Sequence, residues 1–182
     1  MRILSSSAAA ILLTLQSVVS AEFESRAITN ENIGRVVLSA PKDWRPIERH
    51  HIVFGTTFYR LVPPATNFDL EILINDTKHM KVEALVDEDL ELYIESNLSG
   101  MVSKSTEGKA QAQRFGVRRD GVYARLTDRA PKPGEHLFFT QGVRLMGTNV
   151  VMFTLLSSDK DTAALKNTLR IVESVTLDAK TK

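Results

Sequence analysis

Four side chains in this 182-residue chain carry the most promising chemistry: Arg114, Arg118, Tyr123 and Arg125. Asp120-Gly121 sits between two short apolar-polar runs, which predicts a β-hairpin with those two residues as its turn. In that register residue 117 faces 124 and residue 115 faces 126. Phe115, Val117, Ala124 and Leu126 then share one side, and Arg114, Arg118, Tyr123 and Arg125 share the other. Planar guanidinium groups bind carboxylate or phosphate in two-pronged fashion, and Arg118 beside Tyr123 would lie within cation–π reach. The expected occupant of such a face is an acidic partner. The competing expectation is a solvated sheet face, or pairing within the chain to acids such as Asp69 and Glu71.

Other chemistry has less support. The chain has no cysteine, which excludes thiol nucleophiles, and no G-x-S-x-G turn presents a serine. His50, His51, His79 and His136 are the only imidazoles, and their spacing matches no zinc pattern. Adjacent His50 and His51 would point to opposite sides of an extended chain. Asp69 and Glu71 share a strand face, a geometry open to a divalent cation or an arginine, although period-two charge is also ordinary for a half-buried strand. Trp44 follows a strand-ending proline and is expected in the core. No metal or cofactor is expected.

At the N-terminus, Arg2, an apolar run from Ala8 to Leu15 and Val19-Ser20-Ala21 together read as a signal peptide, residues 1–21, cut after Ala21. The apolar run falls well short of the ~20 residues that span hydrocarbon. A lipid anchor would need a cysteine at the cut. Export to a bacterial periplasm is the expected destination, and a secretory route stays open through the sequons at Asn75 and Asn97. Lysine and arginine total 23 against 22 acids. The leader removes Arg2 and no acid, so the remainder is formally neutral and its bulk charge implies no nucleic-acid partner.

Residues 22–34 are expected as a flexible lead-in and 35–179 as one globular domain. Within it, Val36-Val37-Leu38 reads as a strand ended near Pro41, residues 52–62 as a long strand, and residues 68–75 as a clean period-two strand. Leu90, Tyr93, Ile94, Leu98, Met101 and Val102 recur at helical spacing and predict a helix over 87–104, with acids at its positive end. A second hairpin is predicted around Gly147-Thr148-Asn149. Its return strand, 150–156, is apolar on both faces and therefore central. A closing helix over 159–173 would bury Leu165, Leu169 and Val172, followed by a strand at Val175-Thr176-Leu177.

This order of elements resembles the PsbP-like and DcrB-like superfamily. The residues that carry the resemblance are the early strand running into Pro41-x-x-Trp44, the single long helix between two groups of strands, and the run Leu169 to Leu177. The resemblance implies an α+β fold, a three-layer α/β/α sandwich whose mainly antiparallel sheet carries helices on both faces. It also implies binding to other macromolecules and supplies no catalytic residue. The expected function is an exported, non-enzymatic protein-binding module with another envelope protein as partner. The alternatives are a periplasmic hydrolase, which needs convergent polar groups in a cleft, and a small-ligand or metal carrier, which needs an apolar pocket or a ligand set.

Overall fold

The computed structural model describes residues 22–30, 33–51, 56–64, 68–76, 86–158 and 162–178. The proposed leader, His79 and the C-terminal tail lie outside them. The side chains of His50 and His51, on a described strand, also lie outside what is described.

Among the described residues, two antiparallel sheets and two α-helices make up the fold. β1 (Phe23–Asn30), β2 (Gly34–Pro41) and β10 (Thr176–Asp178) form a three-stranded sheet in the order β1-β2-β10. The lead-in expected to be loose therefore holds a strand instead. Its apolar residues do not alternate cleanly, and it is set by pairing along all of β2, from Phe23 opposite Pro41 to Asn30 opposite Gly34. Arg26 folds back to donate from Nη2 to the carbonyls of Pro41 (3.0 Å) and Lys42 (3.1 Å), a long-range tie that local pattern does not reveal.

The larger sheet runs β3-β4-β5-β9-β8-β7-β6. β3 (Arg45–His51) pairs with β4 (Thr56–Val62), which holds the described part of the strand expected over 52–62, and residues 52–55 lie outside the described set. β5 (Phe68–Asp76) keeps its period of two, burying Phe68, Leu70, Ile72 and Ile74. β8 (Phe138–Met146) and β9 (Asn149–Ser157) form the second hairpin. Gly147 at φ 63° begins its two-residue loop, where a left-handed first position lets the turn follow strand twist. β9 is the middle strand of the seven, as its doubly apolar sequence requires.

A 3-10 turn at Asp87–Asp89 leads into α1 (Leu90–Val102), which buries Leu90, Ile94 and Leu98 against Val122, Ala124, Leu126 and Val143. α2 (Thr162–Ser174) joins a separate cluster with Leu70, Ile72, Val151, Phe153 and Leu155, and with Val36 and Leu38 of the smaller sheet. Its buried stripe is Ala164, Thr168, Ile171 and Val172, whereas Leu165 and Leu169 are half-buried at its margin. The expected stripe is thus rotated, because α2 lies against two sheets at once. Ser174 Oγ accepts from Ser39 N at 2.8 Å and donates to Ile171 O at 2.7 Å, tying α2 to β2. Trp44 is buried, tilted against Phe68 at 5.0 Å between ring centroids.

Candidate functional site: the β6–β7 tip and the edge of α2

β6 (Gln113–Phe115) and β7 (Gly121–Thr127) do form a hairpin, but not in the expected register. Phe115 opposes Gly121, five residues before the expected Leu126, and Arg114 opposes Val122. A slip by an odd number moves every β6 side chain to the other face. The turn comprises residues 116–120, with Gly116 at φ 84° and Arg119 at φ 56° supplying the left-handed positions. Gly121 is not among the positive-φ residues. Its missing side chain makes room for the Phe115 ring: a Cβ there would meet Phe115 Cε1 at 2.5 Å and Cδ1 at 2.9 Å.

The four predicted site residues consequently separate. Arg114 points with Val122 toward α1, where Nη1 donates to Asp87 Oδ1 (2.7 Å), Nε to Glu91 Oε1 (2.8 Å) and Nη2 to Asp87 O (2.8 Å). These bonds hold its guanidinium pKa above the ordinary value: the Glu91 bond raises it most, burial opposes, and Asp87 adds to the rise. Arg114 is a structural clamp between β6 and the start of α1. Tyr123 faces the other way, packs edge-on to Phe115 and donates to Gln113 Oε1 at 2.8 Å. Arg125 lies over the Phe138 ring at 4.0 Å. Arg118 alone of the four stands at the exposed tip, without a hydrogen bond or ion pair among the described residues.

What surrounds Arg118 was not expected. Val117, expected on one side with Phe115, Ala124 and Leu126, is 93% exposed, and Arg119 on the other flank of Arg118 is exposed as well. An apolar side chain thus projects beside two uncommitted cations. The loop that carries it is held firmly. Val117 N donates to Glu173 Oε1 of α2 at 2.9 Å, and Arg119 N to Gly116 O at 3.0 Å. Arg144 of β8 donates from Nε to Asp120 Oδ2 (3.2 Å) and from Nη1 to Val172 O (3.1 Å) and Glu173 O (2.7 Å). One guanidinium therefore joins the tip's base to the C-terminal carbonyls of α2, where a cation also suits the helix dipole.

Between tip and helix runs an open groove of about 470 Å³ with Phe115, Leu165 and Leu169 as its apolar part and Lys166, Arg170 and Glu173 as its charged part. Arg170 lies over the Phe23 ring at 3.9 Å. Glu173 is engaged by the tip. The only advance sign of this arrangement was Gly116-Val117-Arg118-Arg119, which the Asp120-Gly121 turn signal overrode.

Asp69 pairs with Arg60: its Oδ1 accepts both Nε (3.1 Å) and Nη2 of Arg60 across β4 and β5. Glu71 lies opposite Arg60 in the same ladder. His136 Nδ1 lies 3.1 Å from Ser158 Oγ, and its Nε2 lies 3.7 Å from Asp69 Oδ2. The His136–Asp69 separation is longer than a hydrogen bond, and the other oxygen of that carboxylate is held by Arg60. Among the described residues no group of three His, Asp or Glu side chains could hold a metal ion, and no helix is long and apolar enough to cross a membrane.

No family model matches the chain, and no curated protein matches it. Its fold is similar to the solution structure of cyanobacterial PsbP (CyanoP) from Synechocystis sp. PCC 6803, with a TM-score of 0.52 and 15% identity over 92% of this chain and 99% of that one. A crystal structure from Bacteroides thetaiotaomicron VPI-5482 aligns at a TM-score of 0.45 and 10% identity, covering 81% of this chain and 46% of that one. The resemblance to the PsbP-like fold stands at the level of architecture: an α+β chain dominated by antiparallel sheet.

Proposed function

We propose, on the premise of a PsbP-like fold, that this chain is an exported, non-enzymatic module of the cell envelope that binds an acidic surface of another envelope protein through the β6–β7 tip and the adjoining edge of α2. The observation that carries the reading is the tip itself: exposed Val117 beside Arg118 and Arg119, on a loop pinned to α2 through Glu173 and Arg144. A fixed loop loses little freedom on binding, and an apolar residue ringed by cations offers burial together with charge selection. Lys166 and Arg170 extend the positive field along α2 although the chain as a whole is nearly neutral. The recognition face thus keeps Arg118 from the sequence expectation, exchanges Arg114 and Arg125 for Arg119, Lys166 and Arg170, and leaves Tyr123 as its support.

Two further parts of the reading rest on the same frame. The helices are assigned to opposite faces of the seven-stranded sheet, giving three layers. Support comes from β9, where Val151, Phe153 and Leu155 join the α2 cluster while Val150 and Met152 join that of α1. Export through a leader ending at Ala21 is supported by the sequence pattern alone, and mass spectrometry of envelope-derived protein should find an N-terminus at Glu22.

The test of binding compares the wild type with Arg118→Gln/Arg119→Asn, asparagine being chosen because it tolerates the left-handed backbone at 119. Crosslinked capture from an envelope fraction should fall in the double variant with the melting temperature unchanged. Wild-type capture should weaken as salt shortens the screening length below ~8 Å. Equal capture by both proteins, with the same salt tolerance, would remove the tip from recognition.

A further inference from the structure

A second site lies at the far end of the β7-β8-β9 ladder, six rungs and roughly 20 Å from the tip. Leu126, Phe139 and Leu156 occupy one row across the three strands and form an apolar floor. Met101, near the end of α1, and residues 134–138 line the space next to it. The half-open space is about 420 Å³, within the range that holds small organic ligands.

The walls are fixed by main-chain bonds. Thr106 N donates to Thr127 O (3.0 Å), Arg129 N to Lys104 O (2.9 Å) and Asp128 N to Leu137 O (2.8 Å). Arg129 also donates from Nη2 to Ser105 O at 2.7 Å. The cavity is therefore part of the folded chain and needs no rearrangement to open.

The charged groups on its rim decide what it would take. Asp128 Oδ1 accepts Ala130 N at 3.0 Å. Glu135 accepts Lys132 N at 3.0 Å and sits 3.9 Å from the Lys132 ammonium. The His136 ring nitrogens face Ser158 and Asp69. The Lys104 ammonium, by contrast, has no hydrogen bond or ion pair among the described residues, and Lys104 is an exposed residue of the lining. Each carboxylate thus holds a backbone N–H, and Glu135 also lies beside the Lys132 ammonium, whereas the Lys104 ammonium has no partner among the described residues.

We infer that this cavity binds a small amphiphile with one anionic head, of the medium-chain carboxylate type, its apolar body on the Leu126–Phe139–Leu156 floor and its head at Lys104. The site is separate from the tip and does not depend on the protein-binding role.

The experiment uses the purified chain and the neutral fluorophore N-phenyl-1-naphthylamine as reporter, displaced by decanoate or by decanol. The reporter should bind saturably at one site. Decanoate should displace it at about two- to fivefold lower concentration than decanol, the range expected of one partly solvated ion pair. Lys104→Gln, on an exposed side chain, should abolish that preference and leave decanol unchanged. Met101→Trp, which fills the mouth from a position 38% exposed, should abolish reporter binding while near-ultraviolet circular dichroism stays native. Arg118→Gln/Arg119→Asn should leave every titration as in the wild type. Non-saturable reporter binding, a decanoate preference that survives Lys104→Gln, or a response to the tip variant would each overturn the assignment.

Discussion

Replacing Gly121 by alanine separates the hairpin that the sequence suggests from the one that the structure contains. In an Asp-Gly turn the glycine would be needed for its positive φ, and the penalty for alanine would lie in the backbone, whatever the neighbouring side chains. In the structure the obstacle is the Phe115 ring. The new Cβ would lie 2.5 Å from Cε1 and 2.9 Å from Cδ1, against ordinary carbon contacts of about 3.5–4.0 Å. The ring would have to retreat by roughly 1 Å. Phe115 is buried and packs edge-on against Phe153 and Tyr123, both at 6.1 Å, so it has little room to do so. Overpacking of this kind costs about 1–3 kcal/mol. Trimming the ring with Phe115→Leu should remove the obstacle, after which Gly121→Ala should be neutral or stabilising by up to about 0.4–1 kcal/mol through the unfolded chain. Urea unfolding of the wild type, the two single variants and the double variant, with unchanged m-values, measures the coupling directly. If Gly121→Ala costs as much in the Phe115→Leu background as in the wild type, the steric account is wrong and the penalty lies in the backbone.

Arg144→Ala should lower stability by about 2–3 kcal/mol in the same assay, since it strips charge-assisted bonds from Asp120 and from the α2 carbonyls. Arg144→Lys should recover only part of this, because one ammonium cannot span both partners, and full recovery would show that charge alone suffices. Acid sensitivity should centre on Glu107. Burial pushes its carboxyl up, but hydrogen bonds hold it below the ordinary value, the largest from Thr127 Oγ1 (2.6 Å) and Thr127 N (2.9 Å), with Thr106 and its own N–H adding to them. A depressed carboxylate pKa contributes stability above about pH 4.5 and loses it as pH falls through the folded value. The stability advantage of the wild type over Glu107→Gln should therefore shrink from pH 5 to pH 3. Parallel profiles for the two proteins would exclude Glu107 as a source of the acid response.

The tip and the cavity draw on one device, a loop held by bonds from elements distant in sequence. At the tip, the bonds of Arg144 and Glu173 leave Val117 and Arg118 free to face outward. At the cavity, the bonds of Arg129 and Thr106 hold the segments around the Leu126–Phe139–Leu156 row. In each case main-chain hydrogen bonds hold the loop, so the apolar surface beside it is a feature of the folded state and not of a frayed one.

The sequence by itself determined the elements whose cause is local. Period-two alternation set β5, the spacing of Leu90, Ile94 and Leu98 set α1, Gly147 set the β8–β9 turn, and unbroken apolarity set β9 in the middle of the sheet. Only tertiary structure decided the rest. β1 exists through its pairing with β2, and α2 turned its stripe to meet two sheets. Most of all, the β6–β7 register was decided by an aromatic ring seated on Gly121, which no local turn preference encodes. That slip of five residues sent Arg114 to α1 and left Arg118 at the tip beside Val117. A glycine's two properties, freedom in φ and absence of a Cβ, are identical in sequence. Which of them the fold uses depends on what packs against it.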